Sequence, residues 1–243
     1  MAEALPPERP RRRGVFVYKS DQPGNEDYMR GGERFSMTLF PDGRLVQRAN
    51  CHIAVDPDVE RDSVLTVDKT LRPIEAYVRI ETGGQFTGSA WYHFNDSHGT
   101  CEAFTAQDGR VSYTENVPPG PFCFCSHAIV GDAWMIAAMA GTADNTRTET
   151  PLYTVTLNKQ GATGPALATK PFGVERVGPE TIKVPVGTFE TVRYRCGAVP
   201  DGTALEDADF QYNIWITDDV FKMAVLSMYP GKTRFELVDL ETD

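Results

Sequence analysis

Two of the four histidines in the chain lie in one short stretch, WYHFNDSHGTCEAF, at residues 91–104. The pattern predicts two strands joined by a polar turn, and the turn length places His93 opposite Glu102, with Glu115 one strand further. A carboxylate beside an imidazole stabilises its charged form, and two adjacent carboxylates raise each other's pKa values. We therefore predict that His93 transfers a proton and that Glu102 orients it. The alternative is an ordinary contact in a solvated polar row.

The same register aligns aromatic side chains that would form a platform for an apolar ligand. Trp91, Phe104 and Tyr113 are predicted in one row across three strands, and this row is too apolar to stay uncovered in water. Tyr92 on the opposite face and Trp134 in a predicted helix complete the predicted ligand contacts. Two alternatives are a row that only stabilises the sheet and a surface that buries against a second copy.

Two further catalytic candidates follow in the most apolar part of the chain. In the motif FCFCSH, Cys123, Cys125 and His127 alternate, so that an extended segment would point all three the same way, as a zinc site requires. Zinc sites usually use C-x-x-C spacing and a second ligand pair, so we predict buried thiols and no metal. His127 precedes a predicted helix and would reach a cavity mouth. Asp132 inside that helix is predicted to line the cavity as a base, or else to lie at a polar edge.

The elements that must position these residues are mostly strands. From Glu33 onward, short strands alternate with turns rich in Gly, Asp and Asn, whereas residues 127–140 predict one largely buried helix. About a dozen strands with short links predict a mainly β fold, a large curved antiparallel sheet or partly open barrel that wraps this helix. We expect residues 1–14 to form a disordered tail and residues 15–243 a single ligand-binding domain.

The composition excludes several classes of partner. A net charge of −10 argues against nucleic acid and anionic membranes, which attract basic surfaces. The longest apolar segment, residues 127–141, is shorter than the ~20 residues of a membrane-spanning helix, and no secretory signal is evident. Five cysteines without framework spacing indicate reduced thiols. We therefore expect a soluble, cytoplasmic protein, and the absence of nucleotide, phosphate-loop and hydrolase motifs predicts no cofactor.

A resemblance supports the predicted fold. The stretch ETIKVPVGTFETVRYR, residues 180–195, resembles a motif of β-rich bacterial proteins related to the lipoprotein carriers LolA and LolB. The stretch NIWITDDVFKMAVLSM, residues 213–228, is similar to the strand, acidic turn and strand that follow in such proteins. The resemblance implies a curved half-barrel, of LolA or lipocalin type, around an apolar cavity. It implies no catalytic residue, and the missing export signal speaks against lipoprotein transport.

These observations lead to one functional hypothesis and two alternatives. The hypothesis is a cofactor-independent lyase, isomerase or hydratase that acts by acid–base chemistry on a hydrophobic or aromatic small molecule in the barrel cavity. The first alternative is a non-catalytic carrier of an apolar small molecule. The second is an interaction module whose aromatic face forms a homodimer.

Overall fold

The computed structural model describes residues 9–54, 56–158, 161–198 and 210–243. These residues form fifteen strands and one helix, which confirms a mainly β fold around one principal helix. The elements are β1 (Arg11–Ser20), β2 (Met29–Leu39), β3 (Leu45–Ile53), β4 (Val59–Val67), β5 (Pro73–Thr82), β6 (Gln85–Phe94), β7 (His98–Thr105), β8 (Gly109–Asn116), β9 (Cys123–Cys125), α1 (Ile129–Met139), β10 (Thr146–Thr154), β11 (Ala168–Val184), β12 (Gly187–Ala198), β13 (Phe210–Thr217), β14 (Ala224–Tyr229) and β15 (Thr233–Thr242).

All of these strands belong to one sheet, in the order β8-β7-β6-β5-β4-β3-β2-β1-β15-β14-β13-β12-β11-β10-β9. Neighbours pair antiparallel, as predicted, except that β9 runs parallel to β10. This parallel pair arises because α1 connects the two strands as a crossover, which returns the chain in the same direction. The sheet therefore has two free edges, β8 and β9.

Contacts of aromatic side chains, and not a backbone ladder, connect the two ends of the sheet. No ladder joins β8 to β9 in the part of the chain that the structure describes. The ring of Phe94 lies 5.3 Å from that of Phe122 and 4.9 Å from that of Phe124, both in edge-to-face contact. The Tyr153 hydroxyl donates to the Asn116 carbonyl at 2.6 Å. The molecule is thus a partly open barrel with an aromatic seam.

The helix α1 is buried along most of its length, as its apolar sequence predicts. Residues 129–136 are all buried, and the Trp134 indole donates to the Phe221 carbonyl at 2.7 Å. Gly131 allows α1 to lie against β3, because a Cβ there would come within 2.8 Å of the Gln47 side chain. Within the described residues, no helix is long and apolar enough to cross a membrane.

The prediction of a disordered N-terminal tail is wrong for residues 11–14. These residues belong to β1, which pairs with β2 on one side and β15 on the other. Their arginines suit a strand because the long side chains cover apolar surface while the charged ends find partners. Arg12 lies over the Phe221 ring, 4.6 Å from its centre, and pairs with Asp219 at 2.8 Å. Residues 1–8 of the predicted tail lie outside the described residues.

Candidate functional site

A cavity of about 500 Å³ lies between α1 and the inner face of the curved sheet. This volume is in the range that accommodates drug-sized molecules. From α1, the cavity receives Ile129, Asp132 and Met135; His127 reaches it from the turn that precedes the helix. The structure therefore brings together two of the four predicted catalytic residues.

One wall of the cavity is a continuous row of aromatic rings. Tyr18, Phe235, Tyr229 and Tyr212 come from the adjacent strands β1, β15, β14 and β13, and all four line the cavity. Successive ring centres are 4.6, 5.6 and 4.7 Å apart. The first two contacts are edge-to-face and the third is stacked, so that the wall presents both ring edges and ring faces to an aromatic or apolar molecule. These four residues were not predicted from the sequence because they are far apart in the chain and meet only through the sheet order.

Asp132 is the carboxyl group of this cavity. Its side chain is 5% exposed, and the Cys125 thiol donates to Oδ1 at 3.5 Å. Burial is the main cause that raises the pKa of Asp132 to about 7; the nearby charge of Glu33 acts in the same direction, whereas the Cys125 hydrogen bond, Lys170 and Arg61 oppose the rise. At neutral pH both the protonated and the ionised form of the carboxyl group are therefore populated, so that it can donate or accept a proton.

His127 is a neutral imidazole that lines the same cavity. Burial, together with the positive charge of Arg61, lowers the pKa of His127 to about 3. Nε2 lies 3.4 Å from the Thr156 carbonyl oxygen and 3.4 Å from the Thr154 hydroxyl. Because a carbonyl oxygen only accepts, the contact with Thr156 requires the proton on Nε2, which leaves Nδ1 as an acceptor.

Glu33 holds the start of α1 and was not predicted as a site residue. The helix has no side-chain cap of its own, since Ala128 occupies the N-cap position. The Glu33 carboxylate, 1% exposed on β2, accepts from the backbone N–H groups of Ile129 at 2.8 Å and Val130 at 3.1 Å. It also accepts from the Tyr18 hydroxyl at 2.9 Å and the Cys51 thiol at 3.3 Å. A carboxylate from a strand that is distant in the sequence therefore caps the N-terminus of α1.

The burial of Glu33 raises its pKa, while the hydrogen bonds from Ile129 and Val130 oppose that rise. The one sequence signal for the capping role of Glu33 is its place in the alternation of β2. Glu33 alternates with Phe35 and Met37, which face the core, and an acidic residue on the apolar side of a strand signals a buried partner.

The fold is similar to that of a solved protein whose domain is of unknown function. A crystal structure described as a beta-barrel-like protein of the domain of unknown function DUF1849 from Brucella abortus has a TM-score of 0.60 at 9% identity, over 97% of this chain and 98% of that one. A DUF1089 family protein from Pseudomonas aeruginosa has a TM-score of 0.48 at 12% identity, over 82% and 90%. The first of these supports the curved β-barrel-like fold alone. No family model and no curated protein matches the chain, and neither structure is described as a LolA or LolB carrier.

The predicted pairing of His93 with Glu102 is wrong. His93 lies opposite Thr100, and Glu102 lies opposite Trp91. The turn is shorter than predicted because the Asn95 side chain accepts from the backbone N–H groups of Ser97 and His98, at 3.0 and 2.8 Å. The two-residue shift preserves the faces, so that both side chains are exposed on the outer side of the sheet.

Glu102 is instead tied to the neighbouring strand β8. It accepts from Ser112 at 2.8 Å and from Arg110 at 3.2 Å, and these bonds lower its pKa. Glu115 lies opposite Gly99, on the other face of the sheet. The turn between β7 and β8 has three unpaired residues, 106–108, whereas the predicted grouping of Glu102 with Glu115 requires a two-residue turn. The catalytic grouping that the sequence predicts on this face is therefore not assembled.

None of the five predicted ligand contacts is among the described residues that line the cavity. Trp91 and Phe104 are exposed on the outer face, at 61% and 56%, and the change of register turns Tyr113 to the other face, opposite Cys101. Tyr92 is buried, with its hydroxyl donating to the Ala166 carbonyl at 2.9 Å. Trp134 is buried against Phe221. The homodimer predicted through the outer aromatic face stays a prediction.

The cysteines form no metal-ligand group within the described residues. Cys51, Cys101, Cys123, Cys125 and Cys196 are all free and buried. Burial raises the pKa of Cys123 and of Cys125, and Asp132 adds to the effect on both. These thiols are therefore protonated and unreactive at neutral pH.

Proposed function

We propose that the chain binds a small molecule with an apolar or aromatic body in the central cavity and exchanges a proton with it through Asp132. The observation that supports this most directly is a buried carboxyl group, with a pKa of about 7, in the wall of a 500 Å³ cavity. A general acid or base works best when its pKa is near the operating pH. Asp132, and not His93 or Glu102, would then carry out the acid–base chemistry, and His127 would be a neutral imidazole in the same cavity.

The aromatic wall and Asp132 face the same space, which is what such a reaction requires. A substrate that packs against Tyr212 and Tyr229 would be held near the carboxyl group, which acts electrostatically on both tyrosines, and orientation of this kind supplies much of an enzyme's rate enhancement. A substrate that fills the cavity would displace water from around Asp132. The reaction class would be proton abstraction or addition, as in an isomerase, lyase or hydratase. The five buried, free thiols fit a reducing compartment, and we propose the cytoplasm.

A metabolite extract can serve as the source of the unidentified substrate. Purified protein is incubated with the extract in D₂O, and the small molecules are analysed by mass spectrometry before and after the protein is denatured. We expect at least one compound to be retained by the folded protein and to gain deuterium or change mass. The Asp132→Asn variant should retain the compound but convert it about 10²–10⁴ times more slowly, the usual contribution of a general acid or base.

Two controls make the result specific. His93→Ala and Glu102→Gln change predicted catalytic residues on the outer face, and both variants should convert the compound as the wild type does. If the wild type and Asp132→Asn both retain the compound and neither converts it, the protein is a carrier and the catalytic part of the proposal is wrong. If the folded protein retains no compound, the binding part is wrong as well.

A further inference from the structure

The hydroxyl group of Tyr212 differs from those of three other buried tyrosines. Tyr18, Tyr92 and Tyr153 are at most 4% exposed, and their hydroxyls donate to a carboxylate or a backbone carbonyl at 2.9, 2.9 and 2.6 Å. Tyr212 is 2% exposed, but within the described residues its hydroxyl has no hydrogen-bond partner. Buried polar groups are nearly always paired, so this hydroxyl indicates a partner that the protein itself does not supply.

The Tyr212 hydroxyl faces the cavity. Tyr212 lies on β13 opposite Cys196 of β12, and its ring stacks on that of Tyr229, with the ring centres 4.7 Å apart. Protein atoms completely enclose several unpaired polar groups of the molecule, but the Tyr212 oxygen is not one of them. Open space therefore lies beside this oxygen, and because Tyr212 lines the cavity and is otherwise buried, that space is the cavity.

The hydroxyl of Tyr212 keeps its proton at neutral pH. Burial, followed by the charge of Asp132, raises the pKa of Tyr212 well above its ordinary value. Asp132 enters the cavity from α1, whereas Tyr212 enters it from the sheet. A molecule that fills the space between helix and sheet would therefore meet a proton-exchanging carboxyl group on one side and a neutral hydrogen-bond donor on the other.

We propose that the ligand is a neutral carbonyl compound with an aromatic or apolar body, whose carbonyl oxygen accepts a hydrogen bond from the Tyr212 hydroxyl. This inference rests on the proposed function, because it specifies the class of substrate that exchanges a proton with Asp132. Tyr212 would be a catalytic residue, since it contacts the oxygen on which negative charge develops.

The chemical reason is the instability of a carbanion that has no neighbouring electron acceptor. A carboxylate removes a proton from carbon readily where an adjacent carbonyl group takes up the electron pair. The C–H bond breaks, its electrons form the C=C bond of an enolate, the carbonyl π electrons move to oxygen, and the proton goes to the ionised Asp132. Return of the proton to the same carbon, or to a conjugated one, completes an exchange or an isomerisation without an oxidant or reductant. The Tyr212 hydroxyl would stabilise the enolate oxygen as an oxyanion-hole donor does.

1-Tetralone and tetralin test the carbonyl requirement, because they share one bicyclic skeleton and differ in a single carbonyl group. NMR titration gives the Kd of each compound, and the Kd of tetralin divided by that of 1-tetralone measures how well the protein recognises the oxygen. We expect Tyr212→Phe to lower this ratio about fivefold, the usual net effect of one hydrogen bond. The affinity for tetralin should not fall, since tetralin cannot pair with the hydroxyl.

Deuterium exchange in D₂O at the CH₂ group next to the carbonyl group of 1-tetralone measures the catalytic step. The wild type should accelerate this exchange, and Tyr212→Phe should slow the catalysed reaction about 10²-fold, the cost of losing one oxyanion-hole donor. Asp132→Asn should slow it as well but keep the wild-type ratio of Kd values, which separates proton transfer from recognition of the oxygen.

The matched control is Tyr92→Phe, which removes a buried hydroxyl that donates to a backbone carbonyl. This variant should have a lower midpoint of urea unfolding than the wild type and an unchanged ratio of Kd values. Tyr212→Phe should unfold at the wild-type midpoint or above it, because the lost hydroxyl has no partner among the described residues. A midpoint as low as that of Tyr92→Phe would show that the Tyr212 hydroxyl is paired within the protein and would overturn the inference.

The remaining outcomes separate this inference from the proposed function. An unchanged ratio of Kd values in Tyr212→Phe would overturn the carbonyl requirement and leave the cavity as a binding site for apolar molecules. A lowered ratio without acceleration of the exchange by the wild type would overturn the catalytic role of Tyr212. Binding of neither compound to the wild type would contradict the proposed function itself.

Discussion

Glu33→Gln is expected to destabilise the protein by about 3 kcal/mol, although it changes one oxygen to an amide group of the same shape. The carboxylate accepts four hydrogen bonds, from Ile129, Val130, Tyr18 and Cys51. The amide offers a donor where an acceptor is needed, so at least one buried N–H or O–H loses its partner. The favourable interaction of a negative charge with the helix N-terminus is also lost.

Equilibrium urea unfolding at pH 7 measures this effect, and Glu102→Gln is the matched control. Glu102 makes its hydrogen bonds on the outer face, so its replacement should leave the unfolding midpoint unchanged. Equal midpoints for Glu33→Gln and the wild type would show that α1 does not depend on this cap.

A second result is expected in the same variant: removal of the Glu33 charge should lower the pKa of Asp132, since that charge raises it.

The second large effect is the pH dependence of stability in two variants that should respond in opposite directions. The pKa of Asp132 is raised to about 7 in the folded protein, so its contribution to stability is complete below about pH 4 and is lost as the pH rises to 7. The pKa of His127 is lowered to about 3. Its contribution is therefore complete above about pH 6.5 and is lost as the pH falls towards 3.

In the wild type these two contributions offset each other between about pH 4 and 6.5. Asp132→Asn removes the Asp132 contribution and keeps that of His127, so relative to the wild type the variant should lose on the order of 3 kcal/mol on acidification across this range. His127→Asn removes the His127 contribution, and relative to the wild type this variant should gain a similar amount. Asn is chosen because it tolerates the positive φ of 63° at this position. Urea unfolding of the wild type and both variants at intervals of half a pH unit checks this; differences from the wild type with slopes of the same sign in the two variants would contradict the assigned pKa values.

The sequence was sufficient to predict the fold because the signals for it are local. Strand alternation and Gly-Asp-Asn turns predicted a curved sheet, and the apolar run at 127–140 predicted the buried helix. The sequence also singled out His127 and Asp132, because a polar group in an apolar segment is conspicuous whatever the topology. The register was harder to predict, since one Asn side chain shortened the turn at residues 95–98 and thereby separated His93 from Glu102.

The aromatic wall and the Glu33 cap could not be predicted, for a different reason. Tyr18 and Tyr212 belong to strands at opposite ends of the chain, and they share a wall only because β1 pairs with β15. Glu33 and Ile129 are 96 residues apart. Contacts of this kind depend on the order of strands in the sheet, which turn signals do not determine.

The pairing of β1 with β15 also has a consequence for how the protein is made. The first and last strands of the chain are central neighbours in the sheet, and β2–β8 and β9–β14 extend from them to either side. During synthesis, β1–β8 can form their meander as they emerge, but the other side of β1 has no partner until β15 has left the ribosome. Closure over such a sequence separation is slow and exposes an unpaired edge meanwhile. We therefore expect the central cavity, whose aromatic wall spans this junction, to form only after β15 has been synthesised.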